Sequence, residues 1–283
     1  MLPFRSLAAF AFALLTSACA TQPISLQEVR DFADASTKLA GYTEMSSRFR
    51  DTYAREQPYL SPAADRLARE NDAKRRAVYE DFVAAQRAVV LYMQTLSVLA
   101  GDGRYDLTPQ LDTLAAAIRT NPDVGLEQKH LVAYTGLARL LTRVIASGYQ
   151  GRSVETMVRD GDQPLQALLD GMTTIMRYYI KTNENEKKSV LGIFDVEIPM
   201  ATKPADRMLV TLAKVHYMNK ATEYKLVDRR YDLALDGLKK VSEGHKTLRA
   251  NLGNLNRDEV RVTLQAYIRD LRLIREGLVG DSY

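Results

Sequence analysis

Apolar residues recur along this chain at alternating steps of three and four, over stretches longer than an ordinary helix, and this spacing limits what the chain can fold into. The longest seam reads Val210, Ala213, Tyr217, Lys220, Tyr224, Val227, Tyr231, Ala234, Leu238, Val241, His245, Leu248 and Leu252. Such steps keep side chains on one face of a helix, so they predict a helix from about Pro204 to Asn251. At 1.5 Å per residue it would reach about 70 Å. Gly237 and Gly244 are the points at which continuity is weakest.

Shorter seams fill the rest. Ser25 and Glu28 have capping-box spacing and open a helix with the stripe Phe32, Ala35, Leu39, Tyr42, Ser46, Phe49 and Tyr53, which Pro58 ends. Ser61-Pro62 opens a second helix to about Ala100, its first half charged and its second half carrying Val78, Phe82, Ala85, Val89, Tyr92, Leu96 and Leu99. Ala88 to Ala100 is a 13-residue apolar run, too short to span a membrane and read as buried core. Further helices are expected from Thr108 to about Thr120, Leu126 to Ser147, Val154 to Thr182 (with Gly161 to Pro164 as a place to kink) and Asp258 to Leu278. Asn183 to Lys188 is polar, and the β-branched stretch Val190 to Ile198 before Pro199 reads as an ordered loop across the bundle. Together these predict an all-α fold, an elongated antiparallel helical bundle with long heptad-patterned helices.

The N-terminus is of another kind. Arg5 is the only charge before Glu28, and the nine apolar residues from Leu7 to Leu15 are followed by small ones. That is the layout of a secretory signal, and the run is far short of the roughly 20 residues a membrane span needs. Leu15-Thr16-Ser17-Ala18-Cys19 resembles the lipobox of bacterial lipoproteins, although Thr16 stands where that class usually has Leu. The resemblance covers about 20 residues. It implies cleavage before Cys19 and acylation of Cys19, which would hold the chain on a lipid bilayer. Because Ala20 follows, and not Asp, it also implies the outer membrane, facing the periplasm. Residues 1–18 are then the signal peptide, 19–24 the lipidated tether and 25–283 the helical bundle. Cys19 is the only cysteine, so no internal disulfide competes for it.

Composition removes some functions. Without Arg5 the chain carries 38 Lys and Arg against 35 Asp and Glu, a net charge of +3 on a chain 26% charged. So balanced a chain has no nucleic-acid footprint. With 46% hydrophobic residues it can bury a real core. Nucleophile elbows, phosphate loops and zinc-protease motifs are missing from the sequence. Glu127-Gln128-Lys129-His130 has the Glu-x-x-His spacing of di-iron carboxylate bundles, but those sites take two such motifs and two more Glu, and no second Glu-x-x-His occurs. Asp160-Gly161-Asp162 and Gly101 to Arg104 read as loop punctuation and not as calcium loops. His245 on the long seam reads as a satisfied polar residue or a pH-sensitive contact. Tyr178, Tyr179 and the seam tyrosines read as packing, and the basic doublets as solvated faces.

The expectation is therefore a non-catalytic protein-interaction module of the envelope, a scaffold or an immunity-type protein, with no cofactor and an unidentified protein partner. Two alternatives stand beside it. One is a helical-bundle enzyme or metal-binding protein using Glu127 and His130; the other is a carrier of a small apolar ligand.

Overall fold

The computed structural model describes residues 26–38, 41–101, 106–114, 118–148 and 153–280. The fold is an all-α helical bundle built from α1 (Gln27–Thr37), α2 (Gly41–Arg50), α3 (Thr52–Glu56), α4 (Pro62–Ala100), α5 (Thr108–Leu111), α6 (Gln128–Ala146), α7 (Val154–Met200), α8 (Arg207–Ala250) and α9 (Asp258–Gly280). Among the described residues there is no strand, and one antiparallel bridge joins Asn121 to Leu126.

Local chemistry sets several boundaries as expected. Ser61 caps α4 by accepting from the Ala64 N–H, with Pro62 at the first helical position, where its missing N–H costs nothing. The charged first half of α4 is largely exposed, and its second half is buried through Phe82, Ala88, Tyr92, Met93 and Leu96. α4 is long and apolar enough to cross a membrane by length and composition, yet 67% of its apolar window lies inside the protein. Gly101 ends it. Ser153 caps α7 through the Thr156 N–H.

Other boundaries differ. The expected first helix is three pieces, α1 to α3, followed by a 3-10 turn at Gln57–Tyr59. Among its described residues the stripe nonetheless turns inward in all but Tyr53: Phe32, Ala35, Tyr42, Ser46 and Phe49 are buried, and the Tyr42 hydroxyl donates to the Ala234 carbonyl. Breaking the helix lets these short pieces wrap the long ones. Ser25 and Leu39 lie outside the described residues. The helix expected to run from Thr108 to Thr120 is only the four-residue α5.

The largest correction concerns α7. Asn183 to Lys188 is not a break and Val190 to Ile198 is not a loop; both belong to one 47-residue helix. The inward seam continues as Tyr179, Asn183, Glu186 and Val190, all buried, so spacing is kept while polarity changes. Asp160-Gly161-Asp162 is likewise helical and not loop punctuation. Pro164 denies the Asp160 carbonyl its helical partner, at an exposed residue. Pro199 lies one residue before the end of α7.

The long pair α7 and α8 forms an antiparallel hairpin along which the other helices are laid. α8 spans 44 residues unbroken, about 66 Å. Gly161 faces the Tyr92 ring and Gly244 the Phe32 ring, each so closely that a Cβ would overlap the aromatic carbons. Phe32 sits against Gly244, Tyr42 against Ala234, and Arg230 pairs with Glu44, so α1 and α2 run antiparallel to α8 and Leu26 lies near the C-terminal end of α8.

Candidate functional site

The hairpin outruns the core at its closed end. Between α7 and α8 the chain turns through Lys203, extended, and a 3-10 turn at Pro204–Asp206. Proline presets the backbone of that turn. On α8 the seam residues Tyr224, Val227, Tyr231, Ala234, Leu238, Val241, His245 and Leu248 are buried. Above them, Val210, Ala213, Tyr217 and Lys220 are only half-buried against α7.

The opposite face of this segment is apolar as well. Met208, Leu209, Leu212, Val215 and Met218 are 77%, 65%, 61%, 51% and 66% exposed, and Val196 and Met200 on α7 are 58% and 73% exposed. A monomeric protein rarely leaves so much contiguous apolar surface in water unless the patch binds something. No charged residue interrupts the five on α8: Lys214 and Arg207 stand on the flank.

Level with the lower half of this stripe, between Val215 and Met218, His216 belongs to an aromatic group that ties the hairpin to the bundle. The Tyr59 hydroxyl is 2.7 Å from His216 Nε2. The Phe194 ring lies 5.5 Å from the His216 ring and 5.9 Å from that of Tyr59, centre to centre. Beneath it is a buried ionic node that sequence periodicity did not reveal. Glu186, 1% exposed, accepts from Arg55 Nε at 2.9 Å and Nη2 at 2.7 Å, from Arg48 at 3.4 Å and from the Tyr224 hydroxyl at 2.9 Å. Desolvation works against the Arg55 charge, but the Glu186 hydrogen bond and charge prevail and raise its pKa. Burial first, and the Glu186 charge second, push the Tyr224 hydroxyl above its ordinary range. Asn183 bridges Arg48 to Asp228, whose other oxygen takes Lys187.

The residues singled out from sequence are distributed as follows. Cys19 lies outside the described residues. Glu127 is the extended N-cap of α6 and not a helical residue, so it and His130 do not present a chelating pair one turn apart. Their side chains form a capping box: Glu127 accepts from the His130 N–H, and His130 Nδ1 accepts from the Glu127 N–H at 3.0 Å. His130 is buried, with Nε2 3.7 Å from the exposed Asp170 carboxylate. Among the described residues, no three His, Cys, Asp or Glu side chains gather as a metal site would need. Tyr179 stacks on Phe49 at 4.5 Å and bonds to Ser46, which is packing. Lys240 pairs with Asp270.

His245 completes a carboxylate–imidazole–hydroxyl row. Its Nδ1 is 2.9 Å from Asp162 and its Nε2 2.8 Å from Tyr92. A carboxylate only accepts, so Nδ1 carries a proton, and the Tyr92 hydroxyl also donates to the Met157 carbonyl at 3.1 Å. The order is that of a nucleophilic triad, but His245 and Tyr92 are both 0% exposed. No substrate reaches the hydroxyl in this conformation, and the row satisfies buried polar groups. The groove of about 540 Å³ beside it, between α7 and α8, is open and lined by Asp170, Arg177, Asp236, Lys239 and Lys246 among others. Apolar ligands favour enclosed, apolar sites.

Fold and site thus define an all-α bundle whose longest hairpin carries an uncovered apolar end. No protein-family model, curated protein or solved structure matches the chain.

Proposed function

We propose that this is a lipid-anchored envelope protein without catalytic activity that works by presenting the end of the α7–α8 hairpin to another protein. The exposed stripe Met208, Leu209, Leu212, Val215 and Met218 carries the reading. The place of the N-terminus supports it. Leu26 lies at the far end of the bundle, and Met208 stands about 55 Å from His245 along α8. The residues from Cys19 to Leu26 extend at most about 25 Å. A chain held by an acylated Cys19 can therefore hold its apolar end well away from the membrane that anchors it.

The test is photo-crosslinking in intact envelopes from positions 209 and 215. Adducts that disappear with Leu212→Glu support the reading. Adducts that form equally from Leu273, exposed on α9, would remove it.

A further inference from the structure

Two buried glutamates meet the arginines of the bundle in opposite ways. Glu186 accepts from Arg55, Arg48 and the Tyr224 hydroxyl. Glu56, the last residue of α3, is 8% exposed, yet no donor among the described residues bonds to its carboxylate. The one cation within 4.0 Å of it there is Arg75 of α4, through Nη2. Arg75 is itself 6% exposed, with neither Nε nor Nη2 in a hydrogen bond. The same Nη2 stands 3.8 Å from Asp72, whose Oδ1 is also buried without a donor. A buried carboxylate is favoured in its charged form by the hydrogen bonds it accepts; one that accepts none is favoured with a proton.

The surrounding charges do not compensate. On α4, Asp72 is bound to Arg76 at 2.7 Å. On α7, Glu186 adds a second negative charge, and Tyr178 lies toward Arg75. Arg55, next to Glu56 in α3, is bound to Glu186 at 2.7 Å, and Arg48 of α2 is shared between Glu186 and Glu223. Burial first, opposed by Arg75 and assisted by the Glu186 charge, raises the Glu56 carboxyl above its ordinary range. A carboxyl raised in the fold takes its proton there before the unfolded chain does. Stability is therefore gained as pH falls through the folded value toward the unfolded one of about 4.3.

The chain itself sets what that proton moves. Glu56 caps the 3-10 turn Gln57–Tyr59, which Pro58 stiffens. Tyr59, at its end, is the residue that meets His216 and Phe194 of the hairpin. A tyrosine hydroxyl donates to a neutral imidazole and accepts from a charged one, so this contact survives protonation of His216. We propose that Glu56 is the proton-operated switch of this clasp. Its unbonded charge leaves the turn loosely seated at neutral pH, and a proton on it seats the turn, and Tyr59 with it, against α4 and the hairpin. The switch works whatever the hairpin end binds.

The experiment uses the full chain and Glu56→Gln, its permanently neutral form. Carbon NMR of the side-chain carboxyls follows Glu56, and amide exchange, corrected for its intrinsic pH dependence, follows Leu60, whose N–H closes the turn on the Gln57 carbonyl at 3.2 Å. Urea unfolding at pH 7 and pH 5 runs beside them. Glu56 is expected to titrate above the unfolded value of about 4.3. The urea midpoint of Glu56→Gln is expected to exceed that of wild type at pH 7, with the excess shrinking at pH 5. Leu60 exchange is expected to slow by about threefold or more from pH 7 to pH 5 in wild type, and to be unchanged in Glu56→Gln. A Glu56 carboxyl that titrates at or below the unfolded value overturns the switch. A raised titration with no change in Leu60 exchange, or with a change at a different midpoint, overturns the clasp. Those two wild-type curves decide the matter even where Glu56→Gln does not fold.

Discussion

His245 Nδ1 lies 2.9 Å from an Asp162 carboxylate oxygen, joining α8 to α7 at a point where the imidazole has no exposed surface. The hydrogen bond from His245, opposed by desolvation, holds the Asp162 carboxyl below its ordinary range. A carboxyl with a lower pKa folded than unfolded adds stability above the unfolded value of about 3.9. That stability is lost as pH falls through the folded value. Asp162→Asn is therefore expected to be less stable than wild type at pH 7, with the gap closing below about pH 4. Urea denaturation from pH 7 to pH 3 measures it; a gap that stays constant would contradict the linkage.

Two glycines give a steric prediction with an internal control. Gly161→Ala and Gly244→Ala push a Cβ into the rings of Tyr92 and Phe32, which are fully buried and have no room to retreat. Each is expected to lose about 1–3 kcal/mol to overpacking. Gly192, on the same helix as Gly161, has no atom within 4 Å of a new Cβ, so Gly192→Ala should gain about 0.5–1 kcal/mol from helix propensity. Chemical denaturation of the three variants separates these signs.

Glu186 neutralises two arginines in a place with almost no water. Glu186→Ala leaves Arg55 without its carboxylate and Tyr224 without its acceptor, while Arg48 keeps Glu223 at 3.3 Å. The expected loss is about 3–5 kcal/mol. A loss under about 1 kcal/mol would mean that the guanidinium groups find water readily, and the node would not be holding α3 to the hairpin.

Cys19→Ser is expected to move the protein from the membrane fraction to the soluble one, with intact-mass measurement of the wild type showing an acylated Cys19 at the mature N-terminus. An unmodified thiol there would end the anchor reading.

Much of the bundle was legible in the sequence, because seams of apolar residues survive without knowledge of their partners. α4 shows its cap, its Pro62 start, its solvated half and its Gly101 stop in the residues alone. The second half of α7 was not legible. There the inward positions are Asn183 and Glu186, which periodicity of apolar residues counts as solvent-facing, and only the arginines brought in from α2 and α3 make them interior. The capping box of Glu127 and His130 was not legible for a related reason: spacing cannot tell a helical turn from the step into a helix. The exposed apolar stripe of α8 was present in the letters Met208, Leu209, Leu212, Val215 and Met218, hidden behind the longer seam on the other face.

The hairpin that outruns the core also grades the protein's motions. Near Leu238 and Leu248, α8 is enclosed by other helices, so its amide hydrogens exchange only when the whole fold opens. Near Met208 the same helix is exposed over most of its surface, and its amides are expected to exchange through small local openings. One covalent helix therefore runs from rigid to labile along its length, and whatever seats on the labile end is felt as slowed exchange there long before it alters the base.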